Sequence, residues 1–124
     1  MTHLVICYNK DNYGNYENIK KIISSRIFEN IYVISTKEID TEFSGFKTKT
    51  IVVDFNKSVE DLFADIFIGL KKIFGNDKIV DLDIAVNISS SNGKENTALL
   101  SALMKLGYGI RLIDLDKNGD VVEL

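Results

Sequence analysis

The sequence predicts a single α/β domain, and three observations lead to that prediction. Continuous apolar runs of strand length, as at residues 4–8, are typical of strands buried on both faces of a parallel sheet. Segments with apolar residues at helical spacing alternate with these runs. Asn118-Gly119 separates the last two strand patterns and is typical of a tight hairpin. We therefore expect a Rossmann-like three-layer sandwich with a mostly parallel central sheet and a C-terminal β-hairpin.

The first half of the chain holds three predicted strands and one predicted helix. After the strand at 4–8 and a polar turn, isoleucines recur at helical spacing and predict a helix over 16–28. Apolar runs at 31–35 and 50–55 predict the second and third strands. The polar segment between these two strands is expected to be a loop.

The next predicted helix has recognisable signals at both of its ends. Ser58 followed by Asp61 is typical of an N-cap with an acidic residue in the first turn. Apolar residues then cover a broad arc as far as Phe74, and Gly75 is expected to end the helix. Residues 83–89 form the fourth predicted strand.

The last predicted helix has a similarly defined start and end. Asn92 with Glu95 three residues later resembles a capping box, in which Asn replaces Ser or Thr. The helix is expected to end at Gly107. A fifth strand over 109–115 and a sixth over 121–124 would then pair antiparallel through the hairpin turn. No linker or repeat divides residues 1–124, so one ligand-binding domain is expected.

Composition and charge limit the possible function classes. The net charge of −3 argues against a broad surface for duplex DNA, but it allows a small anionic ligand in a local site. No apolar run approaches the roughly 20 residues that a membrane-spanning helix needs. The N-terminus has no basic leader, and the single cysteine, Cys7, has no partner for an internal disulfide. These features predict a cytoplasmic protein without membrane contact.

The two most polar strand-to-helix loops follow the first and fourth strands. They read YNKDNYGN over 8–15 and SSSNGKEN over 89–96. In parallel sheets, ligands bind outside the carboxyl ends of the strands where the strand order reverses. The second loop also opens a helix, whose free N–H groups and partial positive charge favour an anion. The candidate ligand site is therefore at this edge of the sheet.

Other site types receive little support from the sequence. A phosphate-binding P-loop would need a glycine at the position of Ile88, and no G-x-G-x-x-G motif occurs. The acidic residues around Asn118 imitate a calcium loop, but they are explained by a hairpin turn. With His3 as the only histidine, no histidine-based metal cluster can form. Neither a metal nor a cofactor is expected.

The segment VNISSSNGKENTALLSALMKLG, residues 86–107, resembles the second signature of CRISPR-associated Rossmann-fold (CARF) domains. In that family a strand ends in Asn-Ile-Ser or Asn-Ile-Thr, and a Gly/Ser-rich turn with a basic residue leads into a helix ending in Leu-Gly. Ser-Ser-Asn stands here where the family has Gly-Gly-Thr. The loop over 8–15 matches the family's first signature, and the order of elements agrees over essentially the whole chain.

This resemblance implies a sensor that binds a cyclic oligoadenylate in type III CRISPR signalling, with cyclic tetra-adenylate as the first candidate. It implies a homodimer with the ligand on the two-fold axis. The family often joins this domain to an effector such as a DNA-binding winged helix, so any DNA contact would require an additional domain. The residues expected to line the ligand are Tyr8, Asn9, Asn12, Tyr13, Ser89, Ser90, Ser91, Asn92, Gly93 and Lys94.

Each of these residue types also has a purely structural interpretation. Lys94 could be a solvated lysine, although its charge opposes the helix dipole there. The serines could serve only the turn, but Asn92 alone suffices as a cap, and the excess favours binding. Tyr8 and Tyr13 could stack on adenines, or Tyr8 could be the last core residue of its strand. The asparagines could be turn formers or could contact base edges.

Two alternatives to a sensor remain open at this point. Some CARF domains cut their own ligand without a metal, by attack of a ribose 2′-OH on the adjacent phosphate. In such a ring nuclease, Lys94 would stabilise the developing charge, and Ser90 or Ser91 would orient a phosphate oxygen. Since the sequence offers no evident general base near the loops, we expect a sensor rather than an enzyme. A generic flavodoxin-like or Rossmann-like domain of another function is the second alternative.

Overall fold

The computed structural model describes residues 3–9, 16–25, 27–37 and 48–124, in which six strands form one sheet and three helices cover it. The α/β class and the alternation of elements are as the sequence predicts. In chain order the elements are β1 (His3–Cys7), α1 (Tyr16–Ser24), β2 (Asn30–Ser35), β3 (Thr48–Val52), α2 (Val59–Asn76), β4 (Asp83–Asn87), α3 (Gly93–Lys105), β5 (Gly109–Leu115) and β6 (Val121–Glu123).

The strand order of the sheet is β3-β2-β1-β4-β5-β6. Strands β1 to β5 run parallel, and only β6 is antiparallel, against β5. The chain builds outward from β1 to β3, returns through α2, and places β4 on the other side of β1. The strand order therefore reverses between β1 and β4, which is the position where ligands bind in open α/β sheets.

Two apolar cores hold the three layers together because successive strand residues point to opposite faces. Val5 and Cys7 face the core formed with α2 and α3, while Leu4 and Ile6 face the core formed with α1. All four side chains are buried. The helices therefore lie on both faces of the sheet, and the sandwich has the three predicted layers.

Helix α1 ends at Ser24, four residues before the predicted boundary. The Oγ of Ser24 donates to the carbonyl of Lys21 at 3.2 Å, and the Oγ of Ser25 donates to that of Ile22 at 2.6 Å. Such bonds to the backbone compete with helix continuation. Ile27, which fits the helical period, lies beyond the helix and is half exposed.

Helix α2 continues through Gly75 to Asn76, so the prediction that Gly75 ends it is wrong. The left-handed position after the helix is occupied by Lys78, with φ of 54°. The N–H of Ile79 donates to the carbonyl of Phe74 at 3.0 Å, as in a Schellman motif. At 18 residues α2 is the longest helix, yet neither it nor any other described helix is long and apolar enough to cross a membrane.

Strands β3 and β4 are shorter or displaced relative to the prediction. β3 spans Thr48–Val52 and β4 ends at Asn87. The buried side chains of Val53 and Phe55 continue the apolar run that predicted a longer third strand, but they lie in the connection to α2. The apolar run therefore predicts correctly that these side chains are buried, but it does not predict where β3 ends.

The C-terminal hairpin forms as predicted, and the N–H of Asp116 donates to the carbonyl of Asp120 at 2.8 Å, which closes a loop over 117–119. The backbone N–H of Gly119 donates to the carbonyl of Asp116 at 3.0 Å, and Gly119 has φ of 81°, which favours glycine. The Asp116 carboxylate accepts from the N–H groups of Asn118 and Asp120 at 2.8 and 3.0 Å. The acidic residues that imitate a calcium loop thus organise the turn.

The thiol of Cys7, the last residue of β1, tests the packing of the core between the sheet and helices α2 and α3. Burial raises the pKa of its thiol from 9.0 to about 12, and a hydrogen bond with Ser91 opposes this increase. Since only the thiolate attacks disulfides, we expect Ellman's reagent at pH 8 to label native protein at least ~100-fold more slowly than unfolded protein. Comparable rates would contradict the buried placement.

The same thiol makes stability depend on pH in the alkaline range. Because the folded-state pKa exceeds that of the unfolded chain, the folded state keeps this proton longer, and stability falls between pH 9.0 and about 12. One such group lowers the free energy of unfolding by at most ~1.4 kcal/mol per pH unit. Denaturant titrations of Cys7→Ala should show a shallower alkaline loss than the wild type.

Candidate functional site

The residues that follow β1 and β4 meet at the carboxyl edge of the sheet, where the strand order reverses. The backbone N–H of Asn9 donates to the carbonyl of Ser90 at 3.0 Å and joins the two segments directly. The predicted convergence of the two loops is therefore present at Asn9 and Ser90. Asn12 and Tyr13 lie outside the described residues, and their roles stay predictions.

The three serines of the β4–α3 turn have three different environments. Ser89 Oγ donates to Asn87 Oδ1 at 2.8 Å, and Ser91 Oγ donates to Asn96 Oδ1 at 2.5 Å. Ser90 is fully buried, and its Oγ has no hydrogen-bond partner among the residues that the structure describes. Because a buried hydroxyl without a partner is costly, Ser90 is the serine of this turn whose O–H donor is left for a ligand.

Helix α3 begins with the predicted capping box. The N–H of Glu95 donates to Asn92 Oδ1 at 2.9 Å, and the N–H of Asn92 donates to Glu95 Oε1 at 3.3 Å. Within the described residues, the N–H groups of Gly93 and Lys94 have no acceptor. A Cβ placed on Gly93 would meet no atom within 4 Å, so the approach to these two donors is open.

A buried carboxylate underlies this turn. Glu95 is 1% exposed, and its Oε2 accepts from Asn9 Nδ2 at 2.9 Å. With Asn92 on its other oxygen, Glu95 connects the residue after β1 to the first turn of α3. The local sequence around Glu95 indicates only the capping box, because nothing in it reveals a contact with a residue 86 positions away.

Lys94 extends from the first turn of α3 toward the β3–α2 connection. Its Nζ donates to the carbonyl oxygens of Phe55 at 2.7 Å and Lys57 at 3.0 Å, and the residue is half-buried. The ammonium is therefore anchored at the same edge of the sheet rather than free in solvent. Its contact with a ligand stays a prediction.

Tyr8 is 2% exposed and packs in the core beside α1. This placement corresponds to the structural interpretation of Tyr8, and its stacking on a base stays a prediction. Asn87, at the end of β4, donates to the carbonyl of Ile113 at 3.0 Å and so links β4 to β5. Asn96 donates to the carbonyl of Ile88 at 2.9 Å and holds the turn from the helix side. Neither Asn87 nor Asn96 was a predicted site residue.

Comparisons with known proteins give structural matches but no sequence matches. No family model and no curated protein matches the chain. A solved structure of Enterococcus italicus Csm6 bound to cyclic hexa-2′-fluoro-hexa-dAMP matches with a TM-score of 0.58 and 11% identity, over 94% of this chain and 34% of that one. The chain thus spans about a third of the matched protein's length.

A second match is UDP-GlcNAc 2-epimerase from Neisseria meningitidis bound to UDP-GlcNAc. Its TM-score is 0.56 and its identity 13%, over 92% of this chain and 32% of that one. At these identities the two matches establish the fold alone. The chain therefore has a Rossmann-like α/β fold, with its candidate site at the switch between β1 and β4.

Proposed function

We propose that this domain is a sensor that binds a cyclic oligoadenylate at the carboxyl edge of β1 and β4 without cleaving it. The observation that leads to this proposal is the set of unpaired donors in the β4–α3 turn. The buried Ser90 hydroxyl and the N–H groups of Gly93 and Lys94 lack partners within the described residues. A phosphate oxygen accepts such donors, and the helix dipole favours its charge.

Charge at the site supports an anionic ligand despite the negative net charge of the chain. The Lys94 ammonium is fixed by two carbonyl oxygens beside the start of α3, so its positive charge remains at this edge. The Glu95 carboxylate is buried beneath the turn, and N–H donors contact both of its oxygens. The surface of the turn therefore presents donors and a cation to an approaching phosphate.

The choice of a cyclic oligoadenylate rests on the CARF-like signature and on the comparisons. The Asn-Ile-Ser strand end, the serine-rich turn with Lys94, and the helix ending in Leu-Gly occupy the places of that family's second motif. The Csm6 structure carries a cyclic adenylate analogue, and the epimerase carries a uridine nucleotide sugar. We place the domain in the CARF family and expect cyclic tetra-adenylate to be its ligand in type III CRISPR signalling in the cytoplasm.

The symmetry of a cyclic ligand implies two copies of the domain. A homodimer would present two β4–α3 turns to one ring across a two-fold axis, so one ring would bind per two chains. In a transcriptional regulator, a winged helix in an additional domain would make the DNA contacts. The ring-to-chain ratio from calorimetry, close to 0.5, tests the dimer separately from binding itself.

Binding without cleavage agrees with the placement of the titratable groups. His3, the only histidine of the chain, lies at the opposite edge of the sheet, where its Nε2 is 3.6 Å from Asp81 and its Nδ1 is 3.1 Å from Asn30. The nearby Glu95 carboxylate is engaged by Asn9 and Asn92. In a single-turnover assay with EDTA, we expect the ring to stay intact. Linear products that disappear in Lys94→Ala would favour the ring nuclease.

The proposed function is tested by isothermal titration calorimetry of the chain with cyclic tetra-adenylate and cyclic hexa-adenylate. Linear tetra-adenylate serves as a control of similar charge and base composition. We expect saturable binding of at least one ring and weaker binding of the linear oligomer. Absence of heat with both rings at several temperatures would contradict the proposal and leave a Rossmann-like domain of other function.

Ser90→Ala separates a ligand contact from a structural role. Because the Ser90 hydroxyl is buried without a partner in the described part of the chain, its removal should leave stability unchanged or raise it by up to ~1 kcal/mol. Affinity for cyclic tetra-adenylate should fall about three- to tenfold for each chain that contacts the ring, the value of one hydrogen bond. Thermal unfolding and calorimetry measure the two effects.

The matched control for Ser90→Ala is Ser91→Ala, whose hydroxyl does have a partner, Asn96. This variant should lose ~1 kcal/mol of stability. A loss of stability in Ser90→Ala equal to that in Ser91→Ala, with no change in affinity, would show that Ser90 is structural.

A further inference from the structure

Asn9, which follows β1 and Tyr8, is held by both its backbone and its side chain. Its backbone N–H is bonded to Ser90, and its Nδ2 donates to Glu95 Oε2 at 2.9 Å. The residue is 3% exposed, and Glu95 is 1% exposed. Both side chains are therefore packed at the carboxyl edge of β1 and β4, and neither is an exposed surface group.

The contact determines which end of the Asn9 amide faces the carboxylate. A carboxylate accepts hydrogen bonds and donates none, so the Nδ2 end must face Glu95. The other oxygen of Glu95 accepts from the N–H of Asn92, which fixes the carboxylate plane from a second direction. Asn9 consequently has its Oδ1, which is an acceptor, and the second hydrogen of Nδ2 left for a ligand, and the end of the amide that points away from Glu95 is Oδ1.

We propose that Glu95 is a positioning residue that directs the Asn9 Oδ1 acceptor into the ligand site, so that the site selects bases with an exocyclic amino group. This inference rests on the proposed function. An adenine can donate its amino hydrogen to Oδ1. A hypoxanthine at the same place has a carbonyl oxygen there, and two acceptors then face each other without a proton between them.

Wild-type protein should accordingly bind cyclic tetra-adenylate about tenfold more tightly than cyclic tetra-inosinate. Because two chains contact one ring, this ratio corresponds to about threefold for each chain, which is the value of one hydrogen bond. The inosinate ring has the same phosphates, riboses and ring size, so the ratio reports on the base edge. Asn9→Ala, which has no Oδ1, should bring the ratio close to one.

Glu95→Gln should change base preference and not only affinity. If the oxygen of the introduced amide keeps the N–H of Asn92, the nitrogen of that amide faces Asn9. The Asn9 amide must then rotate and present Nδ2, a donor, to the ligand. The adenylate-to-inosinate ratio should fall from about ten to one or below. A merely structural Glu95 would weaken both rings equally and leave the ratio unchanged.

The double variant Asn9→Asp with Glu95→Gln should restore the preference. The carboxylate introduced at position 9 accepts from the amide introduced at position 95 with one oxygen. It presents its other oxygen, again an acceptor, to the ligand. The pair keeps one buried negative charge, as in the wild type. Recovery of a ratio near ten in the double variant, after its loss in Glu95→Gln, would identify amide polarity as the cause.

Calorimetry with both rings on the wild type and these variants tests the inference, and thermal unfolding verifies that each variant is folded. Wild-type protein that binds both rings equally would overturn the inference alone and leave the proposed function intact. Wild-type protein that binds neither ring would overturn the proposed function, and the inference with it. If Glu95→Gln fails to fold, the wild-type ratio and the Asn9→Ala ratio still decide the question.

Discussion

Replacing Lys94 with glutamate is expected to weaken the binding of cyclic tetra-adenylate about a hundredfold. A unit charge ~6 Å from a phosphate contributes about 1.4 kcal/mol at an effective dielectric constant of ~40. Charge reversal changes this interaction by about twice that amount, which corresponds to roughly two powers of ten in affinity. The new carboxylate would also face the carbonyl oxygens of Phe55 and Lys57, which now accept from the ammonium. Calorimetry gives the change in affinity.

The control for this charge reversal is Lys105→Glu on the same helix. Lys105 is exposed in the last turn of α3, about 16 Å along the helix axis from Lys94. At that distance, beyond a Debye length at ordinary salt, reversal should change affinity less than twofold. Equal losses in the two variants would indicate a general charge effect. An unchanged affinity in Lys94→Glu would mean that Lys94 only holds the β3–α2 connection in place and does not contact the ligand.

Leu99→Ala is expected to have the largest effect on stability. Leu99 is fully buried between α3 and the sheet, and a cavity at such a site costs about 2–5 kcal/mol. This cost is a large fraction of the roughly 5–15 kcal/mol that is usual for domains, so the melting temperature should fall by roughly 10 °C or more. Chemical denaturation measures the loss.

Met104→Ala on the same helix is the matched control for Leu99→Ala. Met104 is 60% exposed, and its truncation should change the free energy of unfolding by less than about 0.5 kcal/mol. A small effect of Leu99→Ala, comparable to that of Met104→Ala, would contradict the packing of α3 on the sheet. The same packing holds the donors of Gly93 and Lys94 at the sheet edge.

The fold could be predicted because its signals are local. Buried parallel strands are continuous apolar runs, and the capping box of Asn92 and Glu95 lies within four residues of sequence. The predicted helix ends were less accurate because they depend on competing hydrogen bonds. The hydroxyls of Ser24 and Ser25 end α1 early, and Lys78 adopts the left-handed conformation that Gly75 was expected to provide.

The candidate site could be predicted in position but not in its internal contacts. The two polar loops identified the carboxyl edge of β1 and β4, since strand order follows from the alternation of elements. Glu95 already had a complete explanation as a capping residue, so its bond to Asn9 gave no sequence signal. The direction of Lys94 depends on backbone carbonyls of the β3–α2 connection, and backbone atoms carry no residue-specific information.

The central claim is that a cyclic oligoadenylate binds at the carboxyl edge of β1 and β4. NMR mapping of amide chemical shifts tests this claim most directly. On titration with cyclic tetra-adenylate, we expect the largest shifts at the N–H groups of Asn9, Ser90, Gly93 and Lys94. The amide of Gly107, at the opposite edge of the sheet, should change little. Saturable binding with its largest shifts around Gly107, or no shifts at the β4–α3 turn, would contradict the claim.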